Sequence, residues 1–161
     1  MGDLIDQYFQ NHLALSAEDA NMLHLRYYRD YGLAIEGLVR HHKVDPLEYN
    51  RLVDDALPLD RVLKPDPQLR ALLQDLDTTK VKPWLLTNAY VTHARRVVKL
   101  IDVEDCFEGI TFCDYGKTPF VCKPAKEMFE KAEQEAGVRD EDRAGERVYF
   151  VGKFASHCQR N

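Results

Sequence analysis

Three short apolar runs in the second half of the chain constrain its fold more than any other feature. They occupy residues 84–86, 110–113 and 148–151, and helical patterns lie between them. None of the runs alternates regularly between polar and apolar residues, which is typical of strands buried on both faces. The pattern therefore predicts an α/β fold in which a Rossmann-like parallel sheet is wound with helices.

The first third of the chain has a different pattern, with apolar residues at helical spacing from residue 3 to about residue 57. Ser16 is suited to cap a helix that Gly32 would end. Asp45 followed by Pro46 predicts the start of another helix. We expect three or four short helices in a compact bundle and no strand among them.

Prolines interrupt residues 57–65, which we interpret as the connector that leads out of the helical bundle. Asp66 and Pro67 predict the helix that follows it. Further helices are expected near residues 90–100 and 124–136, and Gly137 is placed to end the last of them.

Composition excludes several classes of function. The chain has 22 Lys and Arg against 27 Asp and Glu, and the basic residues are scattered, which does not favour nucleic-acid binding. No apolar run approaches the roughly 18 residues of a membrane span, and the N-terminus lacks a signal pattern. We expect a cytoplasmic protein, with the nucleus as an alternative. The cysteines form no Cys-x-x-Cys pair and are expected to be reduced thiols; they are Cys106, Cys113, Cys122 and Cys158.

Two short motifs predict a site for a phosphate group. Thr87 and Asn88 follow the first apolar run, and ligands collect beyond the carboxyl ends of parallel strands. Lys123 precedes Pro124, which is suited to the first position of a helix, so the lysine would face the same anion. Taken singly, the first motif is an ordinary turn and the second a solvated lysine. Their order along the chain makes Thr87, Asn88 and Lys123 the predicted phosphate-binding residues, and no metal ligands are predicted.

Other residues are weaker candidates for contact with a substrate. Asp114 lies in the loop after the second run, although loop aspartates usually cap a turn. Tyr28 and Tyr31 have the chemistry to stack on a nucleobase, although aromatic side chains at helical spacing more often pack between helices. Cys113 has no base placed by the sequence to activate it, so a nucleophilic cysteine is not expected.

Several segments resemble one known family. Thr87 and Asn88 match its second motif, Lys123 matches its third, and residues 27–35, 48–55 and 113–116 are similar to one of its groups. The family is the haloacid dehalogenase superfamily, and the group is the fungal pyrimidine 5′-nucleotidases. The resemblance implies that residues 1–64 are a helical cap and residues 65–151 an incomplete catalytic α/β core.

The resemblance also implies an activity and the residues that carry it. In this family Mg²⁺ assists hydrolysis of nucleoside monophosphates such as UMP and CMP, and the cap selects the substrate. Lys123 would belong to the catalytic set. The partner would be a small nucleotide rather than a nucleic acid or a membrane.

Two motifs of the family are not found at their expected places in the chain. Nucleophile and acid/base aspartates are expected in an Asp-x-Asp-x-Thr motif that ends the first strand. We read the chain as beginning inside the cap, so this strand and both aspartates are expected to be absent. Gly152, Lys153 and Phe154 stand where acidic residues of the fourth motif would help to bind Mg²⁺. Residues 152–161 are interpreted as an unrelated tail, translated from an intron.

Two hypotheses about function follow. The first is a phosphohydrolase resembling pyrimidine 5′-nucleotidases that is inactive in this form and does not bind Mg²⁺; a phosphatase for another small substrate is a variant of it. The second is a non-catalytic protein that binds phosphate or a nucleotide, or acts as a regulator.

Overall fold

The computed structural model describes residues 1–144 and 147–152, with helices first and a small sheet second. The strands are β1 (Trp84–Thr87) and β2 (Gly109–Phe112). The helical elements are α1 (Gly2–Leu13), α2 (Ala17–Tyr31), α3 (Ala34–His42), α4 (Pro46–Tyr49), a π-helix (Asn50–Asp54), α5 (Leu59–Val62), α6 (Pro67–Gln74), α7 (Val91–Leu100), a 3₁₀-helix (Glu104–Cys106), α8 (Lys126–Ala136) and α9 (Asp140–Ala144).

Local capping sets the boundaries of the first helices, as predicted. The Ser16 hydroxyl oxygen accepts a hydrogen bond from the backbone N–H of Asp19 at the start of α2. Gly32 ends α2 in the left-handed conformation, with φ of 80°. The Asp45 carboxylate caps α4, where proline follows it. These helix starts and ends are confirmed.

One hydrophobic core joins the first three helices to the loop that follows β2. A Cβ atom at Gly37 on α3 would overlap the ring of Tyr27 on α2, so glycine allows these two helices to lie very close. The most deeply buried helical side chains in this cluster are Phe9, Ala20, Ile35, Leu38 and Val53. The loop after β2 contributes Cys113, Tyr115, Phe120 and Cys122 to the same cluster. Burial of each large apolar side chain stabilises the fold by about 1.5–3 kcal/mol.

The sheet is parallel, which confirms the predicted α/β class. Trp84 pairs with Gly109 at one end of the ladder, and Thr87 pairs with Phe112 at the other. Helix α7 belongs to the crossover between the two strands, and α8 packs on β2. This register brings the residues that follow Thr87 and Phe112 to one edge of the sheet, which we call the carboxyl edge.

The sheet differs from prediction in burial and in extent. All four residues of β1 are only partly buried, whereas strands buried on both faces were expected. Residues 148–151 are not a strand, and Tyr149 and Val151 are 83% and 93% exposed. In the described part of the chain the sheet consists of β1 and β2 alone.

Two helical segments also differ from prediction. The connector at residues 57–65 contains the one-turn helix α5. Helix α8 begins at Lys126 rather than at Pro124, because residues 122–125 form a turn in which the Ala125 N–H donates to the carbonyl of Cys122.

Helix length and polarity bear on membrane insertion. The fifteen-residue helix α2 carries Glu18, Asp19 and Arg29 near its ends. A span requires about 20 mostly apolar residues. Across residues 1–144 and 147–152, no helix has both the length and the apolarity to cross a bilayer.

Candidate phosphate site

The carboxyl edge brings together the two sequence motifs predicted to hold phosphate. Asn88 follows the last residue of β1, and the loop after β2 leads through Cys122 to Lys123. The two segments are 35 residues apart in sequence and are joined by direct hydrogen bonds. Tertiary structure thus forms one site from the two motifs.

Asn88 holds the backbone of Lys123 from both sides. Its side-chain N–H donates to the Lys123 carbonyl oxygen at 2.9 Å, and its side-chain oxygen accepts from the Lys123 N–H at 2.7 Å. Each such hydrogen bond contributes about 0.5–1.5 kcal/mol net. Asn88 therefore positions Lys123, a role that the sequence did not indicate. One amide N–H is left for a ligand, so direct contact with phosphate stays a prediction.

Lys123 presents its ammonium group at the end of β1. Nζ donates to the carbonyl oxygen of Leu86 at 3.0 Å and lies 5.9 Å from the centroid of the Phe150 ring. Burial lowers the pKa of this lysine, because the charged form loses hydration. Within the described residues, no carboxylate lies within ion-pair distance of Nζ. The ammonium group is therefore a partly buried cation without a counter-ion among them.

Thr87 keeps its hydroxyl proton available. Its Oγ accepts a hydrogen bond from the backbone N–H of Ala89 at 3.1 Å. This contact fixes the side chain and leaves the O–H free to donate to an anion. The geometry is compatible with the predicted phosphate contact, which stays a prediction.

A second lysine at the carboxyl edge was missed by the sequence analysis. Lys131 on α8 donates from Nζ to the carbonyl oxygen of Phe112 at 2.8 Å, and Glu135 lies 3.8 Å from it. The sequence carried a weak signal, since the buried residues Met128 and Ala132 place Lys131 near the sheet-facing side of α8. Lys123 and Lys131 thus each bind a main-chain carbonyl at the end of a different strand.

Tyr115 supports the loop after β1 and was also missed. Its hydroxyl donates to the carbonyl oxygen of Asn88 at 3.2 Å. Its ring stacks on Tyr90, with centroids 5.4 Å apart. Burial raises the pKa of Tyr115 well above its ordinary value, so the hydroxyl is a stable donor. The predicted site therefore rests on a buried aromatic support.

The weaker candidates have surroundings of their own. The Asp114 carboxylate accepts from the Gly116 N–H at 3.1 Å, which is a turn-forming contact. The Tyr31 hydroxyl lies 2.7 Å from Nε2 of His41, and Tyr28 is 55% exposed on α2. Contact between these side chains and a substrate stays a prediction.

The chain contains one Asp-x-Asp-x-Thr sequence, the pattern of the nucleophile motif, but this segment does not lie at the candidate site. Asp75, Asp77 and Thr79 have the Asp-x-Asp-x-Thr spacing in the turn after α6. Asp77 accepts hydrogen bonds from Thr79 at 3.1 and 2.6 Å and forms an ion pair with Lys80 at 2.9 Å. This turn precedes the amino end of β1, whereas Thr87 lies at the carboxyl end. The match is a local turn and is remote from the candidate site.

The donor chemistry of the carboxyl edge suits an anion. Two ammonium groups, a hydroxyl and an amide present hydrogen-bond donors, whereas Mg²⁺ requires oxygen ligands, usually carboxylates. In the described part of the chain no three His, Cys, Asp or Glu side chains are grouped to hold a metal. These side chains therefore do not fit Mg²⁺ by themselves. Lys153, Phe154 and the rest of the predicted tail lie outside the described residues.

A parallel α/β sheet with hydrogen-bond donors at its carboxyl edge defines a Rossmann-like protein that binds ligands at that edge, and the family follows from the sequence as a whole. The chain belongs to the haloacid dehalogenase-like hydrolase family, whose sequence model matches residues 5–152. It is similar to Phosphate metabolism protein 8 of Saccharomyces cerevisiae (strain ATCC 204508 / S288c), with 39% identity over 146 residues. The aligned region covers 86% of this chain and 46% of the yeast protein, so the chain spans about half the length of this relative.

Proposed function

We propose that the carboxyl edge binds the phosphate group of a nucleoside monophosphate, as in phosphohydrolases resembling pyrimidine 5′-nucleotidases. The family supports a hydrolase, and the nucleotide substrate is our inference from the motifs around Thr87 and Lys123. The observation that carries the proposal is the Lys123 ammonium group, which is partly buried, held in place and without a described carboxylate partner.

A bound anion would compensate the Lys123 ammonium group for the hydration that it loses on burial. A partly buried ammonium loses water contacts, and a phosphate oxygen would replace them with a charge-assisted hydrogen bond. Thr87 offers a second donor, and Lys131, which also pairs with Glu135, places an ammonium group at the neighbouring strand end. Together these groups favour a phosphate over a neutral ligand.

Binding does not by itself provide hydrolysis. The mechanism expected of the family needs one carboxylate to attack phosphorus and another to protonate the leaving oxygen. A lysine and a hydroxyl stabilise negative charge but supply neither step. We therefore propose that the 161-residue chain alone binds phosphate without turnover, which also fits the alternative of a binding or regulatory protein.

Substrate choice would rest on the helical part of the chain. The carbonyl oxygen of Tyr31 at the end of α2 accepts a hydrogen bond from Cys122, next to Lys123. Tyr28, Tyr31 and Asp114 are the proposed contacts on the base side. A stacked tyrosine would contribute about 1–3 kcal/mol to binding of a base.

Calorimetry with UMP, inorganic phosphate and uridine tests the binding proposal. We expect UMP and phosphate to bind and uridine to bind more weakly. Lys123→Ala should weaken phosphate binding about tenfold or more, because a hydrogen bond to a charged group contributes about 1.5–3 kcal/mol. Lys123→Arg keeps the charge, and Lys80→Ala removes an exposed lysine that pairs with Asp77, as a matched control.

The outcomes separate the parts of the proposal. Equal phosphate affinity for the Lys123→Ala variant would remove Lys123 from the site. Equal affinity for UMP and uridine would exclude phosphate as the recognised group. Release of phosphate from UMP in the presence of Mg²⁺, abolished by Lys123→Ala, would show that the chain turns over and would contradict binding without hydrolysis.

A further inference from the structure

Two buried cysteine side chains meet beside the candidate site. Cys113 follows β2 and is fully buried, and Cys122 precedes Lys123 and is 6% exposed. The two side chains belong to the same buried cluster, and their thiols interact with each other. The Cys122 thiol in turn donates to the carbonyl oxygen of Tyr31 at 3.4 Å. The pair thus lies where the end of α2 meets the loop that carries Lys123.

The two thiols are chemically unequal. Donation to Cys122, together with burial, raises the pKa of Cys113. The interaction with Cys113 lowers the pKa of Cys122 and outweighs burial and Glu36, which raise it, while the guanidinium of Arg40 also lowers it. The thiolate is the nucleophilic form of cysteine. Cys122 is therefore the more reactive thiol, and Cys113 is in contact with it.

Other roles for the pair have less support. A metal would need further ligands, and the described residues include no group of three metal-binding side chains. The third described cysteine, Cys106, lies outside the core cluster that contains the pair. A disulfide joins two sulfurs about 2.05 Å apart and so requires neighbouring cysteines, a condition that the interacting pair of Cys113 and Cys122 meets.

We propose that Cys113 and Cys122 form a dithiol modification site that a peroxide converts into an intramolecular disulfide. The Cys122 thiolate attacks one oxygen of hydrogen peroxide, the O–O bond breaks, and Cys122 sulfenic acid and water result. The Cys113 sulfur then attacks the sulfenic sulfur and expels a second water as the S–S bond forms. Two thiols are oxidised and one peroxide is reduced to two waters. A small thiol reductant reverses the modification.

The disulfide has a structural consequence at the site. It consumes the Cys122 thiol proton, so the hydrogen bond from Cys122 to the carbonyl of Tyr31 is lost. That contact links α2 to the loop before Lys123. The modification is inferred from the thiols alone and does not depend on the ligand that Lys123 binds.

Peptide mapping of the whole chain tests the proposal. The reduced protein is treated with hydrogen peroxide, remaining thiols are alkylated, and trypsin is added without reductant. Trypsin releases Cys113 in residues 100–117 and Cys122 in residues 118–126, because proline follows Lys123 and blocks cleavage there. We expect these two peptides to be joined, with the link assigned to Cys113 by fragmentation and lost on reduction. A Cys106→Ser/Cys158→Ser variant leaves the pair as the sole cysteines.

Single substitutions and a denatured control make the test decisive. In Cys113→Ser we expect Cys122 to accumulate as a sulfenic acid that dimedone traps, and Cys113 in Cys122→Ser to react at least tenfold more slowly. Treatment of the wild-type chain in 8 M urea should instead give mixed pairings. Links to Cys106 or Cys158 in the native protein, or the same mixture with and without urea, would overturn the proposal. So would native thiols that stay unlinked while Cys106 is oxidised.

Discussion

Single side chains at the carboxyl edge have roles that follow from what each one touches. Asn88 uses both ends of its amide to hold the Lys123 backbone, whereas the Lys123 ammonium group keeps N–H groups free for a ligand. Loss of Asn88 would therefore displace a charge, and loss of Lys123 would remove it. We expect both changes to weaken phosphate binding, the first for a geometric reason and the second for an electrostatic one.

Asp54 gives the chain a pH dependence of its own. This residue ends the π-helix and is 7% exposed, and burial raises its pKa to about 6, with a smaller opposing effect from His93. The folded state thus binds the proton more tightly than the unfolded chain, whose aspartates titrate near pH 3.9. The resulting stability is complete below about pH 4 and is lost as pH rises through about 6. The total is roughly 3 kcal/mol, at 1.36 kcal/mol per pKa unit.

Asp54→Asn should remove the loss of stability that the wild type shows as pH rises. Between pH 4.5 and pH 7.5 the free energy of unfolding of the wild type should fall relative to the variant by about 2 kcal/mol. Urea unfolding at both pH values measures the difference, and Asp75→Asn, at an exposed aspartate after α6, serves as the control. Parallel pH profiles for wild type and Asp54→Asn would show that Asp54 is not the titrating group.

At the scale of elements, the end of one helix supports the site formed by another part of the chain. Gly32 ends α2 with φ of 80°, and a Cβ atom there would overlap the carbonyl oxygen of Lys123. Asn88 holds that same carbonyl from the opposite segment. The helical bundle and the candidate phosphate site therefore share a contact in which only glycine fits.

Gly32→Ala tests this contact, and Gly137→Ala is its matched control. Both glycines end helices in the left-handed conformation, but a Cβ atom at Gly137 would meet nothing within 4 Å. Each change should cost about 1–2 kcal/mol for the backbone conformation. Gly32→Ala should cost at least 1 kcal/mol more and should also weaken phosphate binding. Urea unfolding and calorimetry measure both effects, and equal losses with unchanged phosphate affinity would contradict the contact.

At the scale of the whole molecule, the helical core is well buried, whereas the sheet is partly exposed to solvent. The main apolar cluster joins the first three helices to the loop after β2, while β1 stays partly exposed. In the described residues β1 has a hydrogen-bonded neighbour on one side only. Unpaired strand edges beside exposed apolar side chains favour association between chains.

We expect the chain to self-associate as its concentration rises, through the sheet edge and residues 148–151. Tyr149→Lys or Val151→Lys should lower the apparent mass in light scattering, because an inserted charge resists strand pairing. Val62→Lys is the control, since Val62 is 72% exposed on α5 and gives the same change in net charge. A monomeric wild type at all concentrations, or an equal effect of Val62→Lys, would exclude this edge as the cause.

The sequence by itself determined the features that depend on near neighbours along the chain. Ser16, Gly32 and Asp45 fixed helix ends through contacts within a few residues, so capping rules predicted them. The α/β class followed from the order of apolar runs and helical patterns. Thr87 and Lys123 were predicted to bind phosphate because ligands gather where parallel strands end.

Only the tertiary structure decided which distant side chains meet. The amide of Asn88 binds a backbone segment 35 residues away, and the thiols of Cys113 and Cys122 become neighbours, because strand register and loop path bring these segments together. Lys131 and residues 148–151 show the same dependence in opposite directions. The lysine reaches the end of β2, whereas residues 148–151 lie outside the two-stranded sheet of the described chain. Residue type sets what a group can bind, whereas its partner depends on the packing of segments that the local sequence does not encode.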